Sequence, residues 1–397
     1  MHHAPKPGSD PERPVHIVFV GAGAVGCFYA SRLHHPSNNT NVSLIARSNY
    51  KTLASEGVKL QTHTFGDYTF VPHSVFPSVS AAAATSWDYV IVTTKALPDR
   101  TNDAELIAAL VNPKTCIVLI QNGVGVEAPY RARFPDTPIL SAVTVVSAEQ
   151  IRQGTIKQHR WTRIHLGPYS NSASFDAAAS GPAAPGSGGE ETTGNINPVN
   201  SVIPTAVGGG SGGVDKSLER KGMERAEQLG DWWTRLGGIR DVELSDEIDL
   251  QIVRWHKLCI NAAFNPSAVL SGGVGNADMV RDAELRVHLA GVMKEIWDAI
   301  PRILGREFPK QLASPEKILK STERNVGSKP SMLLDWETGK PMELEVILGN
   351  PVRIAKAKGV ELPRMQTLYA LLRSAQQVRE KEARKRMARK SGRPGKL

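Results

Sequence analysis

Val15-His16-Ile17-Val18-Phe19-Val20-Gly21-Ala22-Gly23-Ala24-Val25-Gly26 is the stretch that decides the fold. Its first six residues form a β-branched and apolar run, and residues 25–33 carry a helical pattern, so the segment reads as strand, tight turn, helix. In G-x-G-x-x-G each glycine has its own task. Gly21 permits the turn, Gly23 lets the backbone approach a pyrophosphate, and Gly26 lets the helix lie close to the strand. The amides that open the helix, at Ala24 and Val25, then face the anion. A glycine-rich turn made for packing alone does not account for three glycines at this spacing.

Working outward, a polar, turn-rich connection (34–41) leads to a second apolar run, 42–46, the spacing of a βαβ unit with a parallel sheet. At its end, where an NAD enzyme usually places Asp or Glu to hold the ribose hydroxyl, stands Arg47. A guanidinium suits a 2′-phosphate, which favours NADPH; the competing reading makes Arg47 an ordinary surface residue. Runs 89–93 and 116–120 read as further strands, ending in Thr93-Thr94-Lys95-Ala96 and Ile120-Gln121-Asn122-Gly123. Ligands of an open parallel sheet lie beyond the carboxyl ends of its strands, so Lys95 and Asn122 are expected at the nicotinamide and substrate cleft, although each is also a common turn residue. The alternation predicts an α/β fold, a Rossmann-type dinucleotide-binding domain over 15–242.

Composition divides the rest of the 397 residues. Residues 1–14 are polar and proline-rich, and are expected to be disordered. Residues 170–217 turn abruptly to Ser, Gly, Ala and Pro and cannot bury enough apolar surface to offset ordering entropy; they are expected to form a disordered insertion between a strand at 164–167 and a helix at 222–236. From Glu247 onward strand signals fade and helical patterns cover 247–263, 278–304 and 343–358, predicting a mostly α-helical domain over 243–378 with its boundary at 241–246. Residues 379–397 form a basic tail that supplies much of the +9 formal charge, read as a solvated tail on an enzyme of anionic ligands and not as a nucleic-acid site. No window approaches the roughly 20 apolar residues of a membrane span, and the opening lacks the apolar core of a secretory signal. Cys27, Cys116 and Cys259 lie far apart in apolar stretches, as reduced core thiols do, which points to a reducing compartment; the cytoplasm is expected, with mitochondrion and peroxisome left open. No metal is expected.

The most informative stretch for chemistry is Trp255-His256-Lys257-Leu258-Cys259-Ile260-Asn261-Ala262-Ala263-Phe264-Asn265-Pro266. Lys257, Asn261 and Asn265 recur every four residues and so form one polar line on a helix among apolar neighbours. Asparagine is a poor helix former, so two in line need a reason beyond the helix itself: a polar site, or a buried structural network. A lysine sheltered from water loses proton affinity and can act as a general acid toward a nascent alkoxide, and amide side chains both donate and accept without adding charge. Lys257 is the candidate acid. Farther on, Ser331 alone reads as a helix cap and Glu343 as a surface acid.

Together these residues resemble the ketopantoate reductase family over roughly residues 15–373 without the insertion: the glycine loop, Arg47, Thr94-Lys95-Ala96, Gln121-Asn122-Gly123, the Lys257/Asn261/Asn265-Pro266 helix, and the spacing from Ser331-Met332 to Glu343. The resemblance implies reduction of 2-dehydropantoate to (R)-pantoate with NADPH, in pantothenate biosynthesis, by an NADP-dependent oxidoreductase acting on a CH–OH group. It implies that Lys257 protonates the ketone oxygen, with Lys95 and Asn122 at the cofactor and substrate cleft. Asn261 and Asn265 would hold the substrate's polar groups, Ser331 its carboxylate, and Glu343 the substrate or the lysine. Asn276 matches a further family asparagine with a one-residue shift in spacing. The family also allows a homodimer. Two alternatives stand beside this reading: a reductase of another small 2-oxo acid, which keeps Lys257 and changes the pocket, and a non-catalytic NADPH-binding sensor, which has no need of a proton donor.

Overall fold

The computed structural model describes residues 13–170 and 216–390, so the expectations for residues 1–12, for nearly all of the 170–217 insertion and for the last seven residues lie outside the described residues. The described strands, in chain order, are β1 (Val15–Val20), β2 (Thr40–Ile45), β3 (Val58–Thr62), β4 (Gly66–Phe70), β5 (Val75–Phe76), β6 (Tyr89–Val92), β7 (Cys116–Leu119), β8 (Ile139–Arg152), β9 (Thr155–Pro168) and β10 (Val242–Leu244). They form one sheet of order β4-β3-β9-β8-β7-β6-β1-β2-β5, with β10 added beside β9.

β1 sits centrally, parallel to β2 on one side (Ile17 opposite Val42) and to β6 on the other (Ile17 opposite Tyr89). Strands buried on both faces read as continuous apolar runs, and Ile17, Val18, Phe19, Val90, Ile91, Ile117 and Val118 are all fully enclosed. One face is covered with Phe28, Tyr29 and Trp233 from flanking helices, the other with Trp87, Ile107 and Tyr130. Because the chain leaves β1 toward β2 and returns on the far side at β6, the glycine loop lies at a topological switch point, where open α/β sheets bind ligands.

The long β8–β9 hairpin is antiparallel and joined by Gln153 and Gly154, the latter at φ +71°, as a two-residue turn requires. Sequence reading found only the end of β9. The first half of β8, residues 139–144, is buried throughout and went unread; beyond it the ribbon is more exposed and bulged, with register shifts from Val146 on, and residues 155–163 of β9 mix polar with apolar side chains.

The second body is built on the 24-residue helix Glu247–Leu270, started by Asp246, whose carboxylate accepts the Asp249 amide at 2.8 Å. Trp255, Leu258, Cys259 and Ala262 of this helix join Val292, Met293, Ile296 and Ile300 of the helix Ala283–Leu304 in one apolar cluster. The run read as one helix over 278–304 is two, broken at Asp282, whose extended backbone and side chain (2.8 Å to the Leu285 amide) start a new helix. The helix read over 343–358 begins only after Glu343, as a π-turn over Glu345–Gly349, and continues as Asn350–Ala357. The basic tail is corrected in part: residues 379–390 continue the helix Pro363–Lys390 and are not separate from the domain. The reason is local. Arg379 lies 4.1 Å over the Trp336 ring and donates to the carbonyls of Trp336 (2.8 Å) and Lys340 (2.9 Å), while Glu380 pairs with Arg100 of the first body. All three cysteines are buried and free. Among the described residues no helix is long and apolar enough to cross a membrane, and no cluster of side chains could hold a metal ion.

Candidate active site

The glycine loop is built as its residues dictate. Gly21 takes φ +110°, and a Cβ there would lie 2.9 Å from the Thr94 amide at the end of β6. At Gly26 a Cβ would lie 2.3 Å from the Gly21 carbonyl and 2.5 Å from Thr93 Oγ1, so the third glycine brings the helix against both the loop and the neighbouring strand. Gly23 differs: a Cβ there meets nothing within 4 Å. It is the N-cap of the helix Ala24–Ser31 and offers no side-chain bond to the first amides, which therefore remain as donors facing open space. An open second glycine before an uncapped helix fits a dinucleotide's pyrophosphate. Asn49 ties the rim, donating to the Ala22 carbonyl (3.4 Å) and to Gln150 Oε1 of β8 (2.8 Å). Arg47, at the carboxyl end of β2, is exposed with its side chain free to meet a phosphate.

Across the same end of the sheet, the turn after β7 meets the helical body. Gly123 has φ +84°, and a Cβ on it would lie 2.3 Å from the Val346 carbonyl, so only glycine allows this approach. Val124 donates to that carbonyl at 2.9 Å, and Asn350 Nδ2 donates to the Val124 carbonyl at 3.0 Å. The π-turn that holds Val346 is thus where the two bodies interlock, a frequent use of such turns at functional sites.

At this seam the chemistry collects. Lys257 Nζ donates to Asn122 Oδ1 at 2.9 Å, and Asn122 Nδ2 donates to Glu343 Oε2 at 3.3 Å. Glu343 Oε1 accepts the Ala96 amide at 3.1 Å. Burial pushes the Lys257 ammonium down to about 8, helped by the charge of Arg254 and opposed by that of Glu343. Glu343 is buried, which pushes its carboxyl up, while the hydrogen bonds from Asn122 and Ala96 and the charge of Lys95 pull it back. A narrow crevice opens here, walled by Asn122, Val143, Arg254, Lys257 and Asn261 among others.

Lys257, Asn122, Glu343 and Asn261 are therefore brought together. Asn265, one turn beyond Asn261, is 4 % exposed, and its Nδ2 is buried without a hydrogen-bond partner among the described residues. Lys95 lies on the cleft rim in an ion pair with Asp335 of the helix Ser331–Glu337. Ser331 is not the cap of that helix; Pro330 holds the cap position, and Ser331 is exposed on the first turn, four residues before Asp335 and so on the same face. Asn276 opens the helix Asn276–Arg281 and donates to Ser328 Oγ at 3.3 Å, with its Oδ1 buried and unpartnered; it is absent from the crevice wall. Glu343, which alone reads as a surface acid, is one of the most enclosed carboxylates of the seam. Sequence reading missed Arg254, Glu127 and Asp335. Arg254, three residues before Lys257 on one helix face, carried a usable signal; Glu127 and Asp335 reach the site only through the chain's path.

The comparisons with known proteins agree with this architecture. A family model described as ketopantoate reductase PanE/ApbA matches residues 17–171, and the C-terminal model of the same family matches residues 249–376. An uncharacterized protein of Saccharomyces cerevisiae is 27% identical over 383 residues, covering 90% of this chain and 92% of its own. A 2-dehydropantoate 2-reductase of Nostoc is 23% identical over 355 residues, covering 89% and 93%. The crystal structure of 2-dehydropantoate 2-reductase from Methylococcus capsulatus superposes with a TM-score of 0.69 at 29% identity, covering 92% of this chain and 98% of that one. With a Rossmann-type domain, a helical domain and both family models matched in order, the chain belongs to the ketopantoate reductase family.

Proposed function

We propose that the chain reduces a small 2-oxo acid, 2-dehydropantoate, to (R)-pantoate with NADPH, as an NADP-dependent oxidoreductase of pantothenate biosynthesis. The observation that carries the proposal is the line Lys257–Asn122–Glu343 at the seam: a sheltered ammonium aimed by an amide that a buried carboxylate fixes in turn. NADPH, when bound, supplies the hydride. Gly21, Gly23, Gly26 and the amides of Ala24 and Val25 would hold its pyrophosphate, Arg47 its 2′-phosphate, and Lys95 and Asn122 the nicotinamide end.

The remaining work belongs to the protein. As the carbonyl carbon gains hydride, the oxygen gains charge, and Lys257 Nζ gives it a proton, leaving a neutral amine. Asn122 directs the ammonium by accepting one of its hydrogens. Glu343 keeps that amide from flipping, since only the Nδ2 end can donate to a carboxylate. Asn261 and the unpartnered Asn265 Nδ2 suit the hydroxyl and oxo oxygens of the acid, and Ser331 its carboxylate. A homodimer is part of the same proposal.

The test is loss of reduced-nicotinamide absorbance with purified protein, 2-dehydropantoate and a panel of other 2-oxo acids, with NADH as control cofactor. Selective turnover of 2-dehydropantoate is the expected result. Turnover of a different acid would move the substrate assignment, and NADPH binding without turnover of any acid would overturn the enzyme reading.

A further inference from the structure

One turn before Lys257 the same helix carries a second cation. Arg254 is 3 % exposed and its partner Glu127 is fully buried. An enclosed ion pair is a weak source of net stability, because desolvation offsets the attraction, so its presence calls for another role. Its contacts converge on the reactive seam. Nη1 donates to the carbonyls of Gln121 (3.0 Å) and Gly123 (2.8 Å), the residues on either side of Asn122. Nη2 donates to the Ala142 carbonyl (3.2 Å) and to Ser141 Oγ, both of β8, next to the crevice residue Val143. Glu127 Oε1 lies 3.1 Å from Nε and also accepts from Gln251 Nε2 (3.3 Å) and Ser141 Oγ.

We infer that Arg254, clamped by Glu127, is a positioning residue for the reaction: it fixes the 121–123 turn so that Asn122 meets Lys257, and it sets the charge that Lys257 faces. The fork of a guanidinium is suited to this, since one planar group grips two carbonyls of the 121–123 turn and strand β8 at once. The charged groups around Lys257 are few. Arg254 comes from its own helix, Glu343 from the segment before the π-turn, and the Lys95–Asp335 pair stands behind Glu343. His256 points the other way, to the Ala313 carbonyl between Trp297 and Phe308. Arg254 and Glu343 thus act on Lys257 in opposite senses, and Glu127 decides how much of the Arg254 charge is felt.

The role rests on Lys257 being the acid of the proposed reduction, but the electrostatic half of its test does not need turnover. The full chain without ligand is acetylated in competition with a reference amine across a pH series on both sides of 8, and labelling of the Lys257 peptide is followed by mass spectrometry. Arg254→Met is expected to raise the Lys257 midpoint, and Glu127→Gln to lower it, each by about one pH unit, the usual effect of a nearby charge. Midpoints within about 0.3 unit of the parent in both variants, below the usual effect of a nearby charge, would overturn the electrostatic half. Arg254→Lys keeps the charge and loses the fork. It is expected to hold the midpoint yet lower turnover roughly tenfold or more, as misplacement of a catalytic group does; full turnover would overturn the positioning half and also covers the case where the other two variants do not fold. A shifted midpoint in a protein that reduces no 2-oxo acid would sink the functional proposal alone.

Discussion

Replacing Lys257 with methionine is predicted to stabilise the protein while disabling it. Burial and Arg254 lower the ammonium from an ordinary 10.5 to about 8, which at about 1.4 kcal/mol per unit corresponds to roughly 3 kcal/mol spent on keeping the charge sheltered at neutral pH. Methionine has similar length and no charge, so that penalty is removed. Against it stands the loss of the 2.9 Å bond to Asn122, worth roughly 1–2 kcal/mol once the abandoned amide oxygen is counted. The balance is a gain of about 1–2 kcal/mol, or a rise of about 1–3 °C in Tm for a chain of this size. Turnover should fall by roughly 10²- to 10⁴-fold, the usual loss when a general acid is removed, with NADPH binding retained. The pH dependence separates this reasoning from a generic stabilisation. Between pH 8 and 10.5 the unfolded chain holds more protons at this lysine than the folded one, so the parent gains stability as pH rises through that window. The advantage of the variant should therefore shrink from pH 7 to pH 10. Paired thermal melts at those two pH values measure it; a constant difference in Tm, or a variant less stable than the parent at pH 7, would refute the burial argument.

Two other outcomes follow from the same geometry. Arg47→Ala should weaken NADPH at least tenfold in a fluorescence titration and leave NADH nearly unchanged if the exposed side chain at the end of β2 meets the 2′-phosphate as proposed; equal weakening of both cofactors would count against that role. Reduction needs the protonated Lys257 and should decline as pH rises through about 8, whereas oxidation of the hydroxy acid needs the neutral amine and should rise through the same range, so matched pH–rate profiles in the two directions check the assignment.

Much of this architecture was legible in the sequence because local chemistry forced it. The β1 run, the three glycines and the polar line on the Glu247–Leu270 helix each follow from spacing within a dozen residues, and β1 ends where its apolar run ends, at Val20. Glu343 was illegible. Its neighbours Asn122 and Ala96 lie more than 200 residues away, and nothing in Pro341-Met342-Glu343 says that a carboxylate will be enclosed. In the β8–β9 ribbon the buried start of β8 went unread, whereas its bulged second half and most of β9 have no clean period to read. The continued C-terminal helix was hidden by its charge: Arg379 and Glu380 read as solvated residues until Trp336 and Arg100 are seen beside them.

The interlocked turn at Gly123 and Val346 bears on how this chain could be divided or rebuilt. Lys257 and the enclosed carboxylate of Glu343 come from the C-terminal half, while the Asn122 amide between them and the Ala96 NH that steadies the carboxylate come from the N-terminal half. Neither half alone holds two consecutive members of that line. Fragments cut near residue 245 would each keep a core of their own, yet chemistry would return only on reassociation, so recovered turnover on mixing would report docking of the halves and nothing else. For the same reason, grafting the glycine-loop domain onto an unrelated helical partner would carry the loop across without Lys257.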